Sequence, residues 1–82
     1  MIRYYFDILD GRRVTPDKVG MKLSDDAAAI AEARKSLAMW ASDLAATADR
    51  TSVTVTVRRD MGEIARLTLK LEIVTSPPPP PR

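Results

Sequence analysis

Three aspartates and a scatter of cations are the side chains best suited to chemistry in this chain. Asp7, Asp10 and Asp17 lie close together near the N-terminus, and hard divalent cations prefer carboxylate oxygens. Each has a simpler role. Asp10-Gly11 is a turn dipeptide, Asp7 suits cross-strand pairing with Arg13, and no loop offers the ligand series of a calcium site. Histidine and cysteine are both absent, which removes zinc sites, thiolate chemistry, disulfides and most acid–base constellations. Serine, lysine and carboxylates remain, yet no nucleophile, base and orienting group can be assembled from them. No catalytic, metal or cofactor-binding residue is assigned, and a non-enzymatic domain is expected.

The cations carry the second possibility. Arg3, Tyr5, Arg13, Arg58, Arg66 and Lys70 would share the outer face of the sheet described below, among threonines. Basic side chains beside an aromatic can hold phosphates and stack on a base. Only one aromatic lies in this set, Asp7 and Glu72 dilute its charge, and 13 basic against 11 acidic residues leave a net charge of only +2. These six residues form the candidate interaction surface. A second copy of the chain or a small protein is the favoured partner, with weak nucleic-acid binding as the alternative.

These groups must be positioned by short strands and one helix. Residues 24–48 are rich in alanine and free of glycine and proline, as a helix favours. A turn of about 100° per residue puts Ile30, Ala33, Leu37, Trp40, Ala41, Leu44 and Ala48 on an inner stripe, with Glu32, Lys35, Ser36, Ser42 and Asp43 opposite. Ser24 or Asp25 suits the N-cap, and Asp25 and Asp26 complement the helix dipole. Thr47, Ala48, Asp49 and Arg50 include no stop signal, so a frayed last turn is expected.

Residues 2–8 alternate, with Ile2, Tyr4, Phe6 and Ile8 on one side. A three-residue loop, Leu9-Asp10-Gly11, would set Phe6 opposite Val14 inside and Asp7 opposite Arg13 outside. Pro16, Asp17 and Gly20 end the second strand. Residues 51–58 alternate Val53, Val55 and Val57 with Thr54, Thr56 and Arg58. Asp60-Met61-Gly62 then returns the chain so that Val57, Val55 and Val53 meet Ala65, Leu67 and Leu69, and Thr54 meets Thr68, in a last strand over 63–74. The expected fold is α+β: ββαββ, a four-stranded antiparallel sheet with one long helix on one face, strand order open.

The run Arg3-Tyr4-Tyr5-Phe6-Asp7-Ile8, the Asp10-Gly11 turn, Gly20, Leu23-Ser24-Asp25 before an alanine-rich helix, and the final hairpin together resemble a family of small alphaproteobacterial proteins, common in rhizobia and described as a domain of unknown function. The resemblance implies a compact domain in a bacterial cytoplasm and brings no site residue with it.

Size and ends complete the expectation. Eighty-two residues make one domain, over 1–75, near the lower limit for a self-sufficient core, which favours a homodimer. The opening residues lack a signal peptide's apolar stretch and no segment approaches the ~20 apolar residues of a membrane span, so a soluble cytoplasmic protein is expected. Five consecutive prolines from Pro77 to Pro81 make 76–82 a disordered, proline-rich tail. Pro77, Pro80 and Arg82 satisfy a Pro-x-x-Pro-x-Arg pattern, a match almost automatic in such a run.

Overall fold

The computed structural model describes residues 1–47 and 51–81. In chain order it contains β1 (Ile2–Asp10), β2 (Arg13–Thr15), β3 (Met21–Leu23), α1 (Asp26–Ala46), β4 (Ser52–Arg59) and β5 (Gly62–Lys70). The expected α+β antiparallel arrangement is present with one strand more than expected. The main order is β2-β1-β4-β5, and β3 also pairs with β1. β2 lies along the C-terminal half of β1 and β3 along its N-terminal half, Ile2 facing Leu23 and Tyr4 facing Met21. The short run before the helix is therefore a strand, hidden from periodicity by its three residues.

β4 is central, and its Val53, Val55 and Val57 are almost wholly buried. α1 packs over β4, β5 and β3, and Ala29 and Ala33, both 0 % exposed, join Tyr4, Val55 and Val57 in the core. Small side chains at these positions let the helix backbone approach the sheet closely. The helix keeps most of the expected stripe inward, Ala41 included, but is rotated slightly from it, most visibly in the first turn. Ala29, Ala33 and Leu44 are buried, Leu37 and Trp40 are half-buried, and Ile30 is 37 % exposed.

Polar contacts at the helix start account for that rotation. Asp25 caps the helix by accepting from the Ala28 N–H at 2.8 Å, as an exposed first-turn donor requires. At the next residue, Asp26 Oδ1 accepts from the buried Tyr4 hydroxyl at 2.5 Å and from the Arg59 guanidinium at 3.0 Å. Asp26, Ala29 and Ala33 share a face, so tying Asp26 to β1 and β4 turns Ala29 rather than Ile30 inward. Burial, and then the Asp26 carboxylate, raise the Tyr4 phenol above its ordinary value, with Arg59 opposing. Ala48 of the expected stripe and the last turn expected at Ala48, Asp49 and Arg50 lie outside the described residues. Thr47 is the extended C-cap.

The second hairpin follows the expected register, Val57 facing Ala65, Val55 facing Leu67, Val53 facing Leu69 and Thr54 facing Thr68. Its turn is shorter than expected, since Arg59 faces Gly62 and a bulge near Ile64 absorbs the extra residue. β5 ends at Lys70, short of the expected 74. The first hairpin differs more. Asp10 pairs with Arg13, Leu9 with Val14 and Ile8 with Thr15, so the loop is Gly11-Arg12, with Gly11 at φ 63, as a two-residue loop with glycine first demands. Phe6 does not meet Val14, nor Asp7 Arg13. Val14, 63 % exposed, lies on the outer face beside Leu9. The helix lies over β4, β5 and β3, so turning Val14 inward beneath it would bury little, and loop geometry decides the register.

Residues 71–81 form no regular element, and Arg82 of the Pro-x-x-Pro-x-Arg pattern is outside the described residues. No helix among the described residues is long and apolar enough to cross a membrane.

The helix phase makes a sharp prediction. Leu44→Ala is expected to cost about 3 kcal/mol by leaving a core cavity, whereas Ile30→Ala, at a position 37 % exposed, is expected to cost only about 1 kcal/mol. Urea unfolding of both variants checks this; equal losses would restore the originally expected stripe.

Candidate functional site

The outer face of β1 carries Arg3, Tyr5, Asp7 and Leu9, and the 16–20 loop folds back against it. Asp17 is the centre of that loop. Its Oδ1 accepts from the Val19 and Gly20 N–H groups, both at 3.0 Å, and its Oδ2 accepts from the Phe6 N–H at 3.1 Å. The Asp17 N–H in turn donates to Asp7 Oδ1 at 2.8 Å. Arg58 of β4 closes the cluster, its Nε donating to Asp7 Oδ2 at 2.7 Å and a terminal nitrogen to the Asp17 carbonyl at 2.9 Å. The same guanidinium stacks 4.5 Å above the Tyr5 ring, an attraction between cation and ring quadrupole. Arg3 donates to the Val19 carbonyl at 2.7 Å.

Gly20 permits the loop to sit this close. Its φ is +76, and a Cβ there would lie 2.8 Å from the Tyr4 carbonyl and 2.9 Å from Arg3 Cγ. A side chain would meet both backbone strain and a fixed neighbour.

Burial pushes the Asp7 carboxyl up, but the Arg58 guanidinium and the Asp17 N–H outweigh it and hold the group below its ordinary value. Asp17 is lowered in the same way, its burial offset by the N–H groups of Gly20, Phe6 and Val19. The hydrogen bond to Asp7 raises Arg58. These groups satisfy one another. Asp7 and Asp17 do come together, but their oxygens serve as acceptors for a loop, and Asp10 lies at the far end of β1 beside Val53.

The six residues expected to share a surface separate into several environments. Tyr5 and Arg58 are stacked, Arg58 is tied to Asp7, and Arg3 is tied to the loop. Arg66 pairs with Glu63 at 2.8 Å. Lys70 ends β5 and is exposed. Arg13, opposite Asp10, belongs to the face of Ile8 and Val53 rather than the outer one. A shallow outer groove of about 450 Å³ is lined instead by Leu9, Val14, Thr54, Thr56, Arg66 and Thr68, among others. Sequence reasoning treated Asp17 as a strand terminator. Its spacing from Gly20, an aspartate two and three residues before the N–H groups it accepts, was the available signal for a side-chain-capped turn.

Residues 3–70 match the model of a family described as Domain of unknown function (DUF6894). The chain belongs to that family. No curated protein and no solved structure matches it. The DUF6894 match runs from β1 to the last residue of β5, so the Asp7–Asp17–Arg58 cluster, the helix and both long hairpin strands fall within it, while 71–82 do not.

The carboxylates set a pH dependence. Both have lower values folded than unfolded, so their stabilisation is complete above the unfolded value of about 4 and is lost as pH falls through the folded values. Urea midpoints are expected to decline below about pH 4, and Asp7→Asn with Asp17→Asn should flatten that decline. Asp17→Ala, which leaves three N–H groups without their acceptor, is expected to cost about 2 kcal/mol at neutral pH.

Proposed function

We propose that this domain is a non-enzymatic interaction module that associates with itself through one edge of its sheet, acting in a bacterial cytoplasm of the alphaproteobacterial kind that its first strand resembles. The contrast between its two edges carries the reading. Beyond β1 the sheet is broken into β2 and β3, each of three residues, separated by a loop containing Pro16 and Gly20. Short strands, bends and proline are the devices by which a sheet edge resists pairing. β5 has a different character. It spans nine residues without proline and pairs only with β4 among the described residues.

The direction of its backbone groups can be assigned. The Leu71 N–H donates to the Thr51 carbonyl at 2.7 Å, continuing the register that joins Leu69 to Val53. Backbone groups alternate in direction along an antiparallel strand. Those of Leu67, Leu69 and Leu71 therefore turn to β4, and those of Arg66, Thr68 and Lys70 turn to the open side. On the other flank of β4 the Ser52 carbonyl accepts from Gly11, which is the same alternation. A small domain gains most from such an edge by extending its sheet across a second copy. The Asp7–Asp17–Arg58 cluster supports this role, because its side chains are occupied in holding a loop.

Sedimentation velocity of the purified domain is expected to show a concentration-dependent dimer. Thr68→Pro removes an outward N–H without taking a donor from the β4 ladder, and is expected to give a monomer with an unchanged far-UV circular dichroism spectrum. A wild-type monomer at every concentration would refute the proposal.

A further inference from the structure

Resting on that reading, we infer that two copies join their β5 strands antiparallel about a two-fold axis through Leu67, forming one continuous sheet whose register is selected by charge. An axis at Leu69 would carry the pairing past Lys70 into residues that form no regular element, which leaves three axes, at Arg66, Leu67 and Thr68, for the segment with its outward groups at Arg66, Thr68 and Lys70. An axis at Arg66 sets that arginine directly against its own copy. An axis at Thr68 sets Arg66 against Lys70 twice. Like charges directly opposite are destabilising on a sheet face. An axis at Leu67 avoids both conflicts, placing Arg66 against Thr68 on the outer face, and Leu67 against Leu67 and Ala65 against Leu69 on the inner one.

The bulge adds a complementary pair. β5 is irregular between its pairings with Val57 and Arg58, so that Glu63 faces Arg58 while Ala65 faces Val57. Glu63 thereby stays on the outer face, where it already meets Arg66. In the Leu67 register the Lys70 of one copy lies opposite this bulged end of the other, on the same face as Glu63. The symmetry creates two such Lys70–Glu63 pairs. The inner face supplies the apolar part, since Leu67 is half-buried against the core and Leu69 is half-buried beside it. Pairing extends both the backbone ladder and this apolar layer.

The chain has no cysteine, so single substitutions report the axis without interference. Arg66→Cys, Leu67→Cys and Thr68→Cys each place a thiol on one of the three possible axes. Leu67→Cys is expected to form an intermolecular disulfide fastest under mild oxidation, its Cα atoms opposing at the closer, non-hydrogen-bonded spacing. A surface test leaves the inner face untouched: Lys70→Glu and Glu63→Lys are each expected to weaken the dimer roughly ten-fold, and the two combined in one chain are expected to restore it. Faster cross-linking at Arg66→Cys or Thr68→Cys, or a double charge swap weaker than either single one, overturns the Leu67 register while leaving self-association standing. A wild-type chain that sediments only as a monomer overturns the association itself.

Discussion

The close approach of an alanine face to a valine face governs this fold. Ala29 and Ala33 are fully buried against Val55 and Val57, an approach that larger side chains on the helix would prevent. With so little bulk from the helix at this contact, much of the volume around it comes from the strands: Tyr4, Phe6, Ile8, Leu23, Ile64 and Leu67 surround it, joined by Leu37 from the helix. In an 82-residue chain such economy matters, because a small core leaves a narrow margin over chain entropy. The polar contacts that orient the helix lie at its start, where Asp26 joins Tyr4 of β1 and Arg59 of β4, so the rotation that turns the alanines inward is set by hydrogen bonds and filled by packing.

The opposite face of the sheet is organised by charge. Asp7, Asp17 and Arg58 bring together β1, β4 and the loop between β2 and β3, and every formal charge in that cluster has a partner of opposite sign or several N–H donors. A reaction centre needs a group held in readiness for a substrate; this cluster is already committed to the chain itself. The DUF6894 match, over residues 3–70, spans these same elements.

Much of this architecture was legible in the residues and some of it was not. The β4–β5 pairing followed from the alternation of three valines against Ala65, Leu67 and Leu69 taken together with the turn at Asp60-Met61-Gly62. The helix was equally plain, and Ala33, Leu37, Trp40, Ala41 and Leu44 of its expected stripe do turn inward; the first turn departs, where the smaller Ala29 is buried and Ile30 stays at the rim. The β1–β2 register failed for a related reason. An apolar Val14 was assumed to seek the inside, yet the inside near β2 is not where the helix lies. Strand β3 was too short to register as periodic. The site residues suffered most: Arg3, Tyr5, Arg58, Arg66 and Lys70 do lie on one face, but their availability depends on neighbours such as Asp17 and Glu63, which are brought close by the loop and the bulge.

The pairing of β1 with β4 has a kinetic consequence. Arg58 and Asp7 are 51 residues apart in sequence, whereas β4 and β5 are joined by two residues, Asp60 and Met61. Closing the long span carries a larger entropic penalty than closing the short one, and such distant pairings slow folding. On the ribosome, the N-terminal strand must wait without its central neighbour until β4 has been synthesised. Tyr4, Phe6 and Ile8 are thus the part of the core with the longest nascent lifetime in water, and the segment for which chaperone contact during synthesis has the greatest value.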